Sequence, residues 1–495
     1  MTSRQKSFSF YGQDTWQVSR RLTASLGVRW DYFPMGTRAS RGMERYDFNT
    51  NQMLICGMGG VPTDCGYNIE QKNFSPRIGL AYRPTETTVI RAGFGINYDP
   101  YPLAFVRDML TNYPEDLLLT VNPTVATYGP ATQLKDGIPA IQVPDIGSGR
   151  VTVPVQYATR SLPDKVERGY IESWNFSLQK QIKGGWMAQA AYVGSRQLKI
   201  NQRLDLNAGQ VLGAGTAGQP YFVKFGRTTA TELLTPVGHN KYDSLQTSLQ
   251  KRLSHGVSMN FNYTFSKALG ICCDDLADGY PSIQIPQYMR LNRAVMPYDR
   301  THTFGAAFLA EAPFGRGKKW LSSGIGSKLA GGWRFNGLIA AYSGTPFTVT
   351  SSTPLNAPNN SQRASLAKSS IQILGGTGPG QSYFDPFAFV ASPNNTIGTA
   401  ALDAVRGPGT FNFDGGLFRE FRFNDRWKAE FRAEALNLTN TPHFANPGAN
   451  VSNLVLNNDN TIRSLGAYTV ISATTGTGRE GIDERLFRLG VRITF

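Results

Sequence analysis

Apolar and polar residues alternate with a period of two along several long stretches of the chain. From Leu22 to Tyr32 the even positions are Leu, Ala, Leu, Val, Trp and Tyr, and the odd positions are Thr, Ser, Gly, Arg and Asp. Successive side chains of a strand point to opposite faces, so this stretch predicts a strand with one apolar and one polar face. A tilted strand needs about 9–11 residues to cross a bilayer, and this one has that length.

The same alternation predicts 13 strands in total. The clearest of the others cover 74–83, 90–98, 257–266, 427–435 and 487–495, and weaker ones cover 7–18, 170–182, 186–195, 244–253, 301–311, 332–342 and 411–423. We therefore predict an all-β fold, an antiparallel transmembrane β-barrel whose apolar face meets lipid and whose polar face lines a wet lumen. A large soluble β-protein such as a propeller is the alternative, but the chain shows no blade repeat of about 40–50 residues.

Short and long connections alternate between these strands. Short turns lie at 19–21, 84–87, 183–185, 254–256 and 424–426, and the longest connection of this set is 312–331. The long segments are 34–73, 99–169, 196–243, 268–300, 343–410 and 438–484. Outer-membrane barrels have short periplasmic turns and long outer loops, so we predict that the long segments are outer loops of a single domain, 1–495.

The strand count adds an expectation about completeness. An odd number of strands places the first strand's start on the outer-loop side and Phe495 on the short-turn side, whereas bacterial single-chain barrels have even counts. We therefore expect a partial barrel, with N-terminal strands missing. An open sheet would leave two edges of unpaired backbone groups in hydrocarbon, at several kcal/mol for each group.

The distribution of charge argues against a nucleic-acid partner. Lys and Arg total 50 against 35 for Asp and Glu, a net charge of +15. The basic residues are scattered, and the densest patch is Arg316-Gly317-Lys318-Lys319. No zinc-finger spacing or RNA-binding aromatic signature accompanies them, so we expect no nucleic-acid partner.

The chain shows no constellation of catalytic residues. The four histidines are far apart, and the glycine-rich stretch 375–380 lacks the lysine of a phosphate loop. We therefore expect no enzyme activity, no catalytic residues, no cofactor and no designed metal site. Asp274, Asp275 and Asp278 could hold calcium or could belong to a solvated acidic loop.

The four cysteines form two sequence pairs. Cys56 and Cys65 lie nine positions apart in one outer loop, where an oxidising location permits a disulfide, and free thiols are the alternative. Cys272 and Cys273 are adjacent, and the sequence does not indicate their state.

Charged residues at polar-face positions are predicted to line the lumen. They are Arg29, Arg77, Arg91, Arg334, Glu430, Arg432, Glu434, Arg488 and Arg492. Glu430 and Glu434 share a strand face with Arg432, which favours a charge ladder over an acid–base pair. The arginines could attract anionic ligands or could pair with protein carboxylates inside the lumen.

The strand regions carry motifs that resemble a known family. They include GVRWDYF at 27–33, NFSPRIGLAYR at 73–83, RAGFGINYD at 91–99, AYVGSR at 191–196, YDSLQ at 242–246, NYTFSK at 262–267, YDRTH at 298–302, PFG at 313–315, SGTPF at 343–347, NLTN at 437–440 and LGVRITF at 489–495. In this order they resemble the C-terminal barrel portion of Oar-like TonB-dependent outer-membrane receptors.

The resemblance implies a barrel of about 22 strands with a plugged lumen. It implies outer-membrane lipid and the barrel-assembly machinery as partners, with Phe495 in the assembly signal, although Phe495 could also be a simple interfacial aromatic. TonB would be engaged only through a missing N-terminal plug.

The function expected from these features is ligand uptake across the cell outer membrane by a receptor and transporter. The sequence does not name the ligand. A passive porin-like barrel is one alternative, and a surface adhesin or secretion scaffold without transport is another.

Overall fold

The structure is a computed structural model. It describes residues 4–100, 109–117, 119, 133, 135, 137, 139–271, 281–315, 317–424, 426–475 and 484–495. Asp274, Asp275, Asp278, Cys272 and Cys273 lie outside the described residues.

Thirteen long strands pair in chain order into one antiparallel sheet, here called the wall. They are β1 Phe8–Ser19, β2 Leu22–Tyr32, β3 Phe74–Thr85, β4 Thr88–Tyr98, β5 Tyr170–Ile182, β6 Trp186–Asp205, β7 Thr231–Ser254, β8 Val257–Ile271, β9 His302–Glu311, β10 Trp333–Tyr342, β11 Thr410–Arg422, β12 Lys428–Leu436 and β13 Leu486–Thr494. The predicted all-β fold and its long strands are confirmed.

Two of the outer loops are shorter in the structure than the sequence pattern predicts. The predicted loop 196–243 is wrong at both ends, because β6 continues to Asp205 and β7 begins at Thr231. The predicted loop 268–300 is wrong at its start, because β8 continues to Ile271. In these extensions Asn201, Gln202 and Asp205 are buried, so both faces are covered by protein and the apolar–polar alternation no longer marks the strand.

Strand register aligns the alternation across the wall. Leu26 lies opposite Ile78, which lies opposite Phe94, and all three are on one face. Gly27 lies opposite Arg77, and Arg77 lies opposite Gly95, on the other face. These are called the apolar face and the polar face of the wall. They follow directly from the strand period of two, since residues that are paired across strands share a face.

The apolar face is not purely apolar. Asp14 in β1 lies opposite Leu26, between Gly12 and Trp16 on the same face. A carboxylate there departs from the pattern that the rest of β1 and β2 follows, and no polar partner for it lies among the described residues.

The wall has two edges. Among the described residues, β1 pairs with β2 alone and β13 pairs with β12 alone, so the sheet does not close into a ring. Both edges therefore carry strand backbone groups without a neighbouring strand.

The hydrophobic core lies mainly in the outer loops. One cluster joins Met43, Cys56, Cys65 and Tyr67 to Leu234, near the outer-loop end of β7. A second cluster joins residues of the last two outer loops. Short strands support these loops: Glu44–Asp47, Gln52–Ile55 and Arg150–Thr152 form one sheet, and pairs form between Asn68–Ile69 and Lys165–Val166, Pro346–Phe347 and Val405–Arg406, Ser365–Leu366 and Phe389–Val390, and Val455–Leu456 and Ile462–Ser464.

Further short elements complete the fold. Thr159–Ser161 pairs with β7 and Ala294–Val295 with β8. Short α-helices include α1, Pro220–Phe225, and α2, Gly324–Ala330, and 3-10 turns include Lys183–Gly185, Gly215–Gly218, Pro286–Asn292 and Val451–Asn453. Within the described ranges, no helix is long and apolar enough to cross a membrane.

Candidate functional site

All nine charged residues predicted for the lumen lie on the polar face of the wall. Three of them belong to β2, β3 and β4, and each contacts a polar neighbour. Arg29 donates to Asp31 at 2.8 Å and to the Ser9 hydroxyl at 2.9 Å. Arg77 donates to the Asn97 side chain at 2.8 Å and Arg91 to that of Gln179 at 2.7 Å. These three arginines are thus tethered separately and do not form one cluster.

The other six form a charge ladder near the last strand. Glu430 accepts a hydrogen bond from Arg334 at 2.7 Å and one from Arg432 at 2.6 Å. Register places Glu430 opposite Arg492 and Glu434 opposite Arg488. Each carboxylate therefore faces an arginine.

A hollow lies on the polar face above this ladder. Its volume is about 500 Å³. The polar side chains that line it are Gln250, Ser258, Asn260, Asn336, Asp414, Glu434 and Arg488. The sequence analysis named the last two as charged lumen residues, and the other five occupy polar-face positions of predicted strands but were not singled out. The hollow offers both hydrogen-bond donors and acceptors to a solute or to a packed protein segment.

Exposed hydrophobic side chains cover the apolar face. Leu26 is 56% exposed and Phe94 is 40% exposed. Aromatic rings collect at both ends of the strands: Phe8 stacks on Tyr32 at 4.6 Å near the outer loops, and Trp427 stacks on Phe495 at 5.3 Å near the short turns. A soluble sheet would bury such a face, whereas lipid solvates it.

The first outer loop is closed by a disulfide between Cys56 and Cys65, whose Cα atoms are 5.1 Å apart. Both cysteines are buried in the first hydrophobic cluster. Arg38 and Arg41 both bind the fully buried Glu44. The disulfide and these ion pairs hold the loop in one compact arrangement.

Arg227 joins the first three outer loops. Its side chain is fully buried and donates to the carbonyl of Tyr157 at 2.5 Å and to the Asn51 side chain at 3.2 Å. Its guanidinium lies 5.6 Å from the centre of the Tyr46 ring. Burial raises the pKa of Tyr46 to about 12, although the Arg227 charge acts in the opposite direction. No local sequence pattern points to Arg227, because its partners are far away along the chain.

A cavity of about 590 Å³ lies within the first outer loop. The cavity is lined in part by Tyr32, Met35, Met43, Tyr67 and Gln71. The Oε1 atom of Gln71 is buried and has no hydrogen-bond partner among the described residues, so a donor on a bound molecule could satisfy it. The Cys56–Cys65 disulfide contributes to the lining of this cavity through Cys56.

The remaining glycine-rich stretch is a plain loop. Gly375 and Gly380 adopt positive φ angles of 75° and 70°, which glycine accepts without steric cost.

Within the described residues, no group of three or more His, Cys, Asp or Glu side chains could hold a metal ion.

Together, the wall, its lipid-compatible face and the one-sided long loops define an outer-membrane β-barrel protein. A family model described as an outer membrane beta barrel domain matches residues 1–481. The chain belongs to this family, and it is a protein of the outer membrane.

Solved structures with a similar fold include three outer-membrane proteins. The outer membrane transporter YddB from Escherichia coli is 12% identical, with a TM-score of 0.47, and the match covers 99% of this chain and 45% of that one. The ferric-catecholate import receptor Fiu from E. coli K12 is 11% identical, with a TM-score of 0.42 and coverage of 99% and 45%. The ferripyoverdine receptor of the Pseudomonas aeruginosa outer membrane is 10% identical, with a TM-score of 0.44 and coverage of 100% and 39%.

The chain thus spans less than half the length of each of these proteins. No curated protein sequence matches it.

Proposed function

We propose that this chain is the barrel segment of a TonB-dependent receptor that captures a ligand in its outer loops and passes it along the polar face. The observation that carries the proposal is the presence of two separate hollows. One is the cavity in the first outer loop and the other is the hollow on the polar face. In this proposal the polar face lines the lumen and the protein has no enzymatic role.

The two open edges of the wall support a barrel with more strands than these 13. In hydrocarbon each unpaired backbone group costs several kcal/mol. Closing the ring would require further strands between β13 and β1. TonB would then act through a plug domain inside the completed barrel, as the resemblance to Oar-like receptors implies.

We also propose that Phe495 belongs to a C-terminal signal for the barrel-assembly machinery. Its side chain is 86% exposed and stacks on Trp427 at the short-turn end. The same geometry suits an interfacial aromatic, so the two roles need a kinetic test. Phe495→Leu keeps an apolar residue at the interface, and slower assembly of that variant with unchanged final stability would favour the signal.

The transport proposal is tested in whole cells. Cells with the gene, cells without it and cells lacking TonB are incubated with a complex nutrient mixture, and accumulated small molecules are compared. A compound that accumulates only when both the gene and TonB are present supports the proposal. Accumulation without TonB would instead identify a porin, and binding at the surface without accumulation would identify an adhesin.

A matched pair of variants tests the role of the loop cavity. Thr63 is exposed and lines the cavity, so Thr63→Trp should fill it without burying a misfit residue in the core. Asn394 is exposed in a different outer loop, and Asn394→Trp is the control. Uptake lost in the first variant alone, at equal surface levels, supports capture in this cavity.

A further inference from the structure

The connection between β9 and β10 exposes an unusual amount of apolar surface. It lies on the short-turn side and contains α2. Trp320 is 50%, Leu321 53%, Ile325 76% and Leu329 67% exposed. Ile325 and Leu329 are four residues apart and share one side of the helix. A segment that simply crosses between two strands in water has no reason to display four large apolar side chains.

This segment is attached to the apolar face of the wall. Arg419 lies opposite Trp333 and Phe431 in the register of that face. Its guanidinium donates to the carbonyl of Leu329 at 2.8 Å and to the carbonyl of Lys328. The Trp333 indole nitrogen also donates to the Leu329 carbonyl, at 3.4 Å. The end of α2 is therefore held beside side chains that meet lipid, so its apolar surface is continuous with the lipid-facing surface.

Positive charge surrounds the apolar side chains. Lys319 and Lys328 are exposed, and the Lys319 ammonium lies 5.3 Å from the centre of the Trp320 ring. Lys318 differs, because it forms an ion pair with Glu311 at 2.5 Å. The other short turns are also basic, with Arg20, Arg21, Arg83, Lys183, Arg252 and Arg426 in or beside them.

We propose that residues 318–329 form an interfacial anchor that lies in the headgroup layer of the periplasmic leaflet and binds anionic phospholipids. Amphipathic segments with Trp and Leu on one side and lysines on the other lie in this layer. Trp and Tyr favour the same depth. The negative headgroups supply the counter-charge that Lys319 and Lys328 do not have among the described residues, and the acyl chains cover Ile325 and Leu329. The anchor would fix the depth of the β9–β10 end of the wall.

The depth of the segment can be measured on the intact protein, purified from outer membranes and reconstituted in bilayers. The environment-sensitive fluorophore NBD is attached to Ile325→Cys in a chain that also carries Cys272→Ser and Cys273→Ser. Labels at Leu26→Cys and at the exposed Ser352→Cys provide hydrocarbon and water references. We expect the label at position 325 to emit at wavelengths between those of the position 26 and position 352 labels, and to be quenched by lipid-borne quenchers. Emission like that of the position 352 label, in every bilayer tested, would overturn the proposal and would leave a protein partner as the occupant.

The charge requirement is tested with lipid composition. Phosphatidylglycerol added to phosphatidylcholine bilayers should move the position 325 label to shorter wavelength, and Lys319→Gln with Lys328→Gln should abolish this response. Each lysine near an anionic surface strengthens binding about fivefold. The control carries Lys72→Gln and Lys224→Gln, two exposed outer-loop lysines, and should keep the full response. An unchanged response after removal of Lys319 and Lys328, or no response in the parent protein, would overturn the role of anionic lipid.

Discussion

Arg334 in β10 donates a hydrogen bond to Glu430 in β12 at 2.7 Å, with the whole of β11 between the two strands. The contact forms because both residues occupy polar-face positions and their long side chains reach across the intervening strand. It is direct structural support for a continuous polar face in the C-terminal part of the wall.

The first prediction concerns the energy of that contact. Arg334→Gln, Glu430→Gln and the double variant should give a coupling energy of about 0.5–1 kcal/mol, because both side chains are partly exposed and water weakens the pair. Denaturant titration of each variant, folded in lipid, gives its free energy of unfolding, and the coupling energy follows from these values. Arg334→Gln combined with Glu434→Gln is the control and should be additive. A coupling energy of zero for the first pair would mean that the two groups do not meet in the membrane.

The second prediction concerns the two faces of β2. Leu26→Arg should lower the free energy of unfolding by about 2–4 kcal/mol, because an arginine on the lipid-facing side near mid-bilayer loses its hydration. The neighbouring change Ser25→Arg should cost less, since it places the charge on the polar face. Phe94→Arg and Gly95→Arg form a second pair. Equal costs on both faces would contradict the assigned orientation.

The third prediction concerns the disulfide in the first outer loop. Replacing Cys56 and Cys65 with serine should destabilise that loop by about 2–3 kcal/mol, because a short closed loop becomes free in the unfolded state. Hydrogen exchange of residues 42–67 measures the loss. The wall strands should keep their protection, and equal loss of protection in β2 and β3 would show that the loop and the wall unfold together.

The fourth prediction concerns pH. Asp403 lies in an outer loop, where burial raises the pKa of its carboxyl and a hydrogen bond from the Thr348 hydroxyl, 3.0 Å away, partly offsets the rise. A raised pKa in the folded state means that its contribution to stability is fully present below the ordinary value of 3.8 and is lost as pH rises through the folded value.

Asp403→Asn should therefore remove part of the pH dependence of loop stability. Asparagine also suits the positive φ of 53° at this position. Hydrogen exchange of residues 346–349 and 402–406, measured from pH 4 to pH 7, gives the comparison. The difference between parent and variant should grow as pH rises from the acidic end. A difference that is constant with pH would contradict the raised pKa.

The wall was predictable from the sequence because each of its faces has a single environment. Leu26 lies on the apolar face and Arg29 on the polar face, and the polarity of each side chain matches its face. Local alternation was therefore enough to locate β2. The extension of β6 to Asp205 was missed because Gln202 and Asp205 are buried by outer loops, and alternation is lost where both faces are covered.

The outer-loop contacts could not be predicted in this way. Arg227 and Asn51 are 176 positions apart, and no local pattern connects them. The charge ladder was predictable residue by residue, yet which arginine meets Glu430 depended on register and on side-chain reach. The loop cavity forms only when the whole first outer loop folds. In that loop the sequence analysis singled out the two cysteines and predicted no cavity.

The barrel orientation requires that one face of the wall meets lipid and the other meets water. A nitroxide scan of single-cysteine variants at positions 22–32 of the membrane-inserted protein measures this, with collision rates determined for oxygen, which concentrates in lipid, and for a water-soluble nickel chelate. Even positions should collide mainly with oxygen and odd positions mainly with nickel, with a period of two along the strand. If even positions were protected from both reagents, or if the two reagents showed no alternation, the apolar face would be packed against protein and the barrel orientation would be wrong.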